Sequence, residues 1–369
     1  MKKVLFMTKN LEMGGVSKAL INIIKYIDLE KYDVTVISLL DKNDYGDCFD
    51  KRIKTKVIFK KNKFFKIIDK IEGRLLKHLS GKYLYKLFIH EKYDVEIGFI
   101  TNYPNKIIAN STNKKSKKIG WIHGNYNYLN YDLEIYKSIL EQRRTYSKFD
   151  TIVCVADECR KSFENIVIKG KAITVYNPID SEEIKRLSHE GVIESEKQFT
   201  ICSVGRLSEE KGFLRLLKIH KKLMEDGYKY ILWIIGDGPQ REILELYIKE
   251  NNLNNSVKIL GYQKNPYKYM DKCDLYVCPS YTEALSTTVQ EFLILEKPII
   301  TTRCSGMKEL LGESEYGIIT ENSEEALYEG IKEVLENRNI IKYYKNKSKE
   351  RSLDFKKEKF IFQVENLLS

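Results

Sequence analysis

Short apolar runs and longer amphipathic stretches alternate along the whole chain. The runs KKVLFMT, YDVTVISL, KTKVIFK, YDVEIGFI, SKKIGWIH, DTIVCV and KAITVYN read as seven strands in the first half. The runs QFTICSVG, KYILWIIG, SVKILG, DLYVCPS, PIITT and YGIIT read as six more in the second. Most are apolar at successive positions, the pattern of strands buried on both faces. Between them, helical periodicity predicts helices near 15–27, 65–90, 133–147 and 157–165. In the second half helices are expected near 212–226, 239–251, 265–270, 287–296, 307–311, 323–336 and 338–350. Strand and helix in strict alternation predict parallel sheets covered by helices on both sides, an α/β architecture.

The pattern breaks once, between about 177 and 197. Asn177-Pro178 ends the last strand of the first half, because proline forces its predecessor out of helical geometry. The polar stretch SEEIKRLSHEGVIESEK follows as a linker helix. A chain of 369 residues exceeds one ordinary core and suits two domains. The expected division is 1–180, 181–350 and a C-terminal helix, 351–369, crossing back onto the first domain. Two doubly wound, Rossmann-like domains of this kind are expected to face a central cleft at the carboxyl ends of their strands.

Charge adds a feature that periodicity does not show. The net charge is +11, but residues 1–180 carry 34 Lys and Arg against 21 Asp and Glu, while residues 181–369 carry 29 against 31. Residues 51–92 alone hold 14 basic and 3 acidic residues, interleaved with Phe64, Phe65, Leu75, Leu76, Tyr83, Leu84 and Leu87. Basic, aromatic and aliphatic residues at helical spacing describe a surface that meets anionic lipid. No recognition motif points to nucleic acid. The opening MKKVLFMTKN has too short an apolar core for a signal peptide and reads as a strand. Seven cysteines without a C-x-x-C pattern read as reduced thiols in a cytoplasmic protein. The five histidines have no ligand-like spacing and no D-x-D ends a strand, so neither a metal nor another cofactor is expected. A Lys-, Ile- and Asn-rich composition points to an AT-rich bacterial source.

Candidate chemistry gathers where strands run into helices. In CDLYVCPSYTEALSTTVQEFLILEKPII, Glu283 follows a strand and Glu291 lies one turn into the next helix. Between them the amides of Ser286, Thr287 and Thr288 are expected at a helix N-terminus, where free N–H groups and the helix dipole favour a diphosphate. In SVGRLSEEKGFLRLL, Arg206 and Lys211 straddle a strand-to-helix turn and can neutralise an anion, or stand as a solvated basic pair beside Glu209 and Glu210. Gly14 and Gly15 end the first strand and open a helix, without the spacing of a dinucleotide or Walker loop. Gly236-Asp237-Gly238-Pro239 reads as an architectural turn. Gly261-Tyr262-Gln263 could offer groups to a nucleobase. His123, at the end of GWIH, can bond a sugar hydroxyl or a phosphate oxygen.

Together these segments resemble the retaining, GT-B-fold glycosyltransferases of family 4, over nearly the whole chain. The resemblance rests on the Gly-Gly loop, the histidine of the first half, G-R-L…K-G, G-D-G-P and P-S…E-x7-E. It implies that Arg206 and Lys211 hold the donor diphosphate, assisted by the amides of Thr287 and Thr288. Leu285 and Ser286 would present amides to the sugar, with Glu283 accepting from its hydroxyls. Glu291 would take the ribose and Tyr262 and Gln263 the base. His123 would touch the transferred sugar, and Gly14 and Gly15 would line the acceptor side. The chain departs from the family pattern at Ala284, Ser286 and Phe292, where the family often has Gly, Gly or Pro, and Ala.

The expected function is therefore transfer of a sugar from a nucleotide-sugar, a UDP-sugar above others, to an acceptor hydroxyl with retention. A lipid-linked glycan in cell-surface polysaccharide synthesis is the expected acceptor, reached from the cytoplasmic face of the membrane. Two other readings share the architecture: an enzyme like UDP-N-acetylglucosamine 2-epimerase, and a non-catalytic membrane-binding adaptor.

Overall fold

In a computed structural model of the chain, residues 1–12, 14–60, 79–127, 130, 133–191, 196 and 198–369 are described. The chain divides into two units, Met1–Pro178 with Glu358–Ser369, and Ile179–Lys357.

The first unit holds a seven-stranded sheet. Its strands are β1 (Lys2–Thr8), β2 (Tyr32–Leu40), β3 (Lys54–Phe59), β4 (Val95–Gly98), β5 (Lys117–Ile122), β6 (Thr151–Cys154) and β7 (Ala172–Thr174). All pair in parallel, in the order β3-β2-β1-β4-β5-β6-β7. The helix Lys357–Leu368 lies almost wholly in this unit. Lys2 Nζ donates to Leu368 O at 3.0 Å, and Asp28 N donates to Glu365 Oε1 at 3.2 Å.

The second unit holds a six-stranded parallel sheet. Its strands are β8 (Thr200–Val204), β9 (Ile231–Ile235), β10 (Val257–Gly261), β11 (Leu275–Cys278), β12 (Ile299–Thr302) and β13 (Ile318–Thr320). Their order is β10-β9-β8-β11-β12-β13. The expected α/β architecture of two doubly wound parallel sheets is thus observed. Both sheets reverse winding at one place, β1/β4 in the first and β8/β11 in the second. At such a point, adjacent loops leave in opposite directions and open a crevice at the carboxyl edge.

The sequence explains these elements directly. ILWII of β9 is buried at all five positions, as a central parallel strand must be. The helix Phe213–Glu225 buries Phe213, Leu216, Leu217 and Leu223 against the second sheet. Asp180 and Ser323 cap the helices Ser181–Ser188 and Glu324–Glu336 by accepting from Glu183 N and Ala326 N. Phe292 stacks on Tyr276 of β11, with ring centroids 3.9 Å apart and planes at 8°. The bulky residue that replaces a small one in the family pattern therefore fills the helix–sheet interface.

Two helix expectations need correction. The segment 133–147 is not one helix: a 3-10 turn at Leu133–Ile135 precedes a separate helix Ile139–Tyr146. Ser138 is extended between them, and its side chain accepts from Glu141 N, so it restarts the helix as a cap. The helix Tyr103–Ala109 was not expected from its seven residues, which contain Pro104. It forms because proline is tolerated in a first turn and the Asn102 side chain accepts from Tyr103 N. Of the helix expected near 65–90, residues 61–78 lie outside the described residues, and Gly81–Phe88 is helical.

One core group links the fold to pH. His220 is fully buried; its Nε2 pairs with Ser256 Oγ at 2.8 Å and its Nδ1 has no hydrogen-bond partner. Burial pushes its pKa down to about 4, so the folded protein holds it neutral where the unfolded chain protonates it. Stability from this group is complete above pH about 6.5 and is lost as pH falls towards 4, about 2 kcal/mol by pH 5. Urea denaturation at pH 7.5 and pH 5 should show a steeper loss for the wild type than for His220→Gln. Equal losses would remove this role.

Candidate functional site

In the second unit, the loops after β8 and β11 meet at the winding reversal. The first carries Arg206 and Lys211, and the second carries Glu283 and leads into the helix Thr287–Ile294. Lys211 Nζ lies 2.7 Å from Glu283 Oε1, and Ser280 Oγ donates to the same oxygen at 2.7 Å. The pair is largely enclosed, with side-chain exposures of 28% for Lys211 and 10% for Glu283. Burial works against the Lys211 ammonium, but the charge and hydrogen bond of Glu283 outweigh it and raise its pKa above the ordinary lysine value. The lysine is therefore a fixed cation whose remaining N–H groups can serve another anion.

Arg206 is placed differently. Its side chain is 65% exposed and its Nη2 reaches Glu210 Oε1 at 3.0 Å. Ser208 Oγ donates to the same carboxylate at 2.6 Å, and these bonds outweigh burial to hold Glu210 below the usual carboxylate range. The two cations thus differ: one is held in an enclosed pair and the other in an exposed one.

Around the pair, the chain makes turns that only glycine permits. Gly212 sits at φ +68°, and a Cβ there would lie 2.1 Å from Pro279 O. Gly236 sits at φ +144°, where a Cβ would lie 1.9 Å from Gly205 O.

The helix Thr287–Ile294 opens beside Glu283. Ser286 caps it, its side chain accepting from Val289 N at 3.3 Å. The N–H groups of Thr287 and Thr288 fall in the first turn, where the helix offers no internal acceptor. Leu285 is buried, within 3.0 Å of where a Gly306 Cβ would stand. Glu291 is buried in the same helix and accepts from Tyr267 Oη at 3.3 Å. Tyr262 is exposed after β10, while Gln263 Nε2 donates back to Leu260 O at 2.7 Å.

The remaining candidates belong to the first unit. His123 follows β5, and Phe99 follows β4, beside the winding reversal of that sheet. His123 Nε2 lies 2.9 Å from Phe99 O. A carbonyl only accepts, so Nε2 carries the proton and Nδ1 is left as an acceptor. Burial pushes the His123 pKa down to about 3, with the Phe99 bond opposing, and the ring is neutral at physiological pH. Its ring packs against Phe99 and parallel to Trp121, with centroids 5.0 and 6.5 Å away. Gly14 precedes the helix Gly15–Tyr26 in an extended conformation, and a Cβ there would meet nothing within 4 Å. The structure itself makes no steric demand for glycine at position 14.

Several residues at the second-unit site went unassigned from sequence. Arg215, Ser280, Thr302, Cys304 and Asn322 bond the backbone or side chains of the Pro279–Glu283 loop. Arg215 carried a signal, a charged residue within the apolar run FLRLLKI. Among the described residues, no group of three or more His, Cys, Asp or Glu is arranged to hold a metal ion.

Two parallel doubly wound sheets fit the GT-B class of glycosyltransferase folds, and known structures bear out that class. Anabaena HepE in complex with UDP and glucose superposes with a TM-score of 0.76 at 17% identity, covering 100% of this chain and 99% of that one. Sucrose-phosphate synthase from Thermosynechococcus elongatus gives 0.77 at 13% identity, covering 100% and 98%. Residues 185–351 match the family described as glycosyl transferases group 1. An uncharacterised glycosyltransferase of Methanocaldococcus jannaschii is 30% identical over 305 residues, 70% of this chain and 72% of its own. The chain belongs to the group 1 glycosyltransferases. It is also similar to the Campylobacter jejuni N-acetylgalactosamine-N,N'-diacetylbacillosaminyl-diphospho-undecaprenol 4-alpha-N-acetylgalactosaminyltransferase, 36% identical over 199 residues. That match spans about half the length of each chain, 53%.

The two kinds of glycine make a direct test. Gly212→Ala should lose about 1–3 kcal/mol in urea denaturation, because the methyl meets Pro279 O and the backbone is left-handed. Gly14→Ala should change stability by less than about 1 kcal/mol. Equal effects would contradict the local geometry.

Proposed function

We propose that the protein transfers a sugar from a UDP-sugar to an acceptor hydroxyl with retention of configuration. The acceptor is a lipid-linked glycan in cell-surface polysaccharide synthesis. The observation that carries this reading is the Lys211–Glu283 pair, 2.7 Å apart beside the start of the Thr287–Ile294 helix. A diphosphate needs cations and free amides, and a sugar needs a carboxylate to accept from its hydroxyls. The loops after β8 and β11 supply both.

Lys211 and Arg206 hold the diphosphate, with the amides of Thr287 and Thr288. Glu283 accepts from the sugar hydroxyls, and the amides of Leu285 and Ser286 face the same ring. Glu291 takes the ribose, while Tyr262 and Gln263 lie beside the base. His123 offers Nδ1 to a hydroxyl, which its neutral Nε2–H tautomer suits better than a phosphate oxygen. Gly14 and Gly15 line the acceptor side.

Glu283 is committed to Lys211 and Ser280, which favours a binding role over a nucleophilic one. The acceptor oxygen therefore attacks from the face that the phosphate leaves. The bond from the anomeric carbon to phosphate breaks, the bond to the acceptor oxygen forms, and the departing phosphate oxygen takes the acceptor proton. Fixed cations stabilise the charge that develops on the diphosphate, and no metal is required.

The lipid-linked acceptor rests on the name of the Campylobacter relative, which carries diphospho-undecaprenol, and on the basic stretch 51–92. In its described part, Tyr83 and Leu87 are exposed on the helix Gly81–Phe88, beside Lys82 and Lys86. Among the described residues no helix is long and apolar enough to cross a membrane. A peripheral contact at the cytoplasmic face is the corresponding location.

Lys211→Ala and Arg206→Ala should each remove about 3–4 kcal/mol of transition-state stabilisation while the protein stays folded. Turnover above about a tenth of wild type in either, with UDP-sugars screened as donors, would refute that variant's role. Binding to vesicles should require anionic lipid and weaken with salt. Equal binding to neutral vesicles, or none to either kind, would remove the membrane contact.

A further inference from the structure

Among the described residues, Arg215 has one of the largest fully buried side chains, and none of its hydrogen bonds goes to a carboxylate. It rises from the first turn of the helix Phe213–Glu225, four residues after Lys211. One guanidinium nitrogen, Nη2, donates to Pro279 O and to Ser280 O, the latter at 3.0 Å. The other, Nη1, donates to Asn322 Oδ1 at 2.8 Å, while Nε has no partner. The guanidinium also stacks on the Tyr281 ring, 4.0 Å from its centroid. Asn322 Nδ2 in turn donates to Tyr281 O at 2.9 Å. Thr302 Oγ1 and Cys304 Sγ donate to Ser280 O at 2.5 and 3.1 Å, and Tyr281 N donates to Glu210 O at 2.8 Å.

These bonds converge on three consecutive peptides, Pro279 to Tyr281. The side chain of the middle residue, Ser280, donates to Glu283. Burying a guanidinium is costly, and an apolar residue of the same size would serve packing better. A charge kept there, with Nε left unsatisfied, marks a geometric requirement on the loop it grips. We propose that Arg215 is a positioning residue: through Pro279, Ser280 and Asn322 it fixes the loop that presents Glu283 to Lys211. Its part in catalysis rests on the donor-site reading above. The placement of Lys211 does not.

The full-length protein carrying Arg215→Lys, which keeps the charge but loses the fork, is compared with Asn322→Ala, which removes only the outer end of the network. Two readouts apply. The first is acetylation of Lys211 by an amine reagent, followed by mass spectrometry without any ligand, with Lys218 on the helix Phe213–Glu225 as control. In the wild type the paired, protonated Lys211 labels slowly. In both variants it should label several-fold faster while Lys218 is unchanged. The second is hydrolysis of UDP-glucose, UDP-galactose, UDP-N-acetylglucosamine and UDP-N-acetylgalactosamine. For the best of these, kcat should fall about tenfold or more with KM changed less than about threefold, as expected when groups are misplaced rather than lost.

Unchanged Lys211 labelling in a folded variant overturns the proposal, as does a rise in KM that accounts for the whole loss of activity. If Arg215→Lys does not fold, Asn322→Ala decides by the same readouts. A wild type that turns over none of the four sugars counts against the donor reading, and the labelling contrast still decides the positioning role.

Discussion

The second unit depends on how the segment 205–215 grips the loop 279–283. The first follows β8, the second follows β11, and these strands are neighbours only because the winding of the sheet reverses between them. Contact is made at two levels. At the tip, the Lys211 ammonium meets the Glu283 carboxylate; at the base, the Arg215 guanidinium meets two backbone carbonyls. Gly212 lets the chains pass between those levels, since any side chain there would strike Pro279 O. The charged pair is thus braced by the backbone of both segments as well as by its own hydrogen bond.

The first unit repeats the topology with different chemistry. Its winding also reverses beside its first strand, and the loops after β4 and β5 there bring together Phe99, Trp121 and an uncharged His123. Cations and free amides suit the polyanionic end of a nucleotide. Rings and a lone acceptor nitrogen suit hydroxyls. The same scaffold thus carries different chemistry where its loops differ.

The strands were legible because central parallel strands are apolar at successive positions, and runs such as ILWII and LYVC admit few other readings. The turns that carry Arg206, Lys211 and Glu283 stood out too, since each sets charged residues between a strand and a helix. Pairing was not legible. Nothing in the sequence says that Lys211 reaches Glu283, 72 positions away, while Arg206 turns to its neighbour Glu210. Thr302 and Asn322 were missed because they act on backbone carbonyls, which leave no mark in the sequence, and Arg215 showed only as a charge within an apolar run. Short elements failed for a related reason. The helix Tyr103–Ala109 is defined by its Asn102 cap rather than by periodicity, and Ser138 splits an amphipathic stretch that otherwise reads as continuous.

The most direct test is an experimental structure with UDP bound. The account predicts the diphosphate within hydrogen-bond reach of Lys211 Nζ and of the Thr287 and Thr288 amides, with the ribose against Glu291. UDP bound elsewhere on the second unit, with Lys211 still closed on Glu283 and contacting no phosphate, would contradict it.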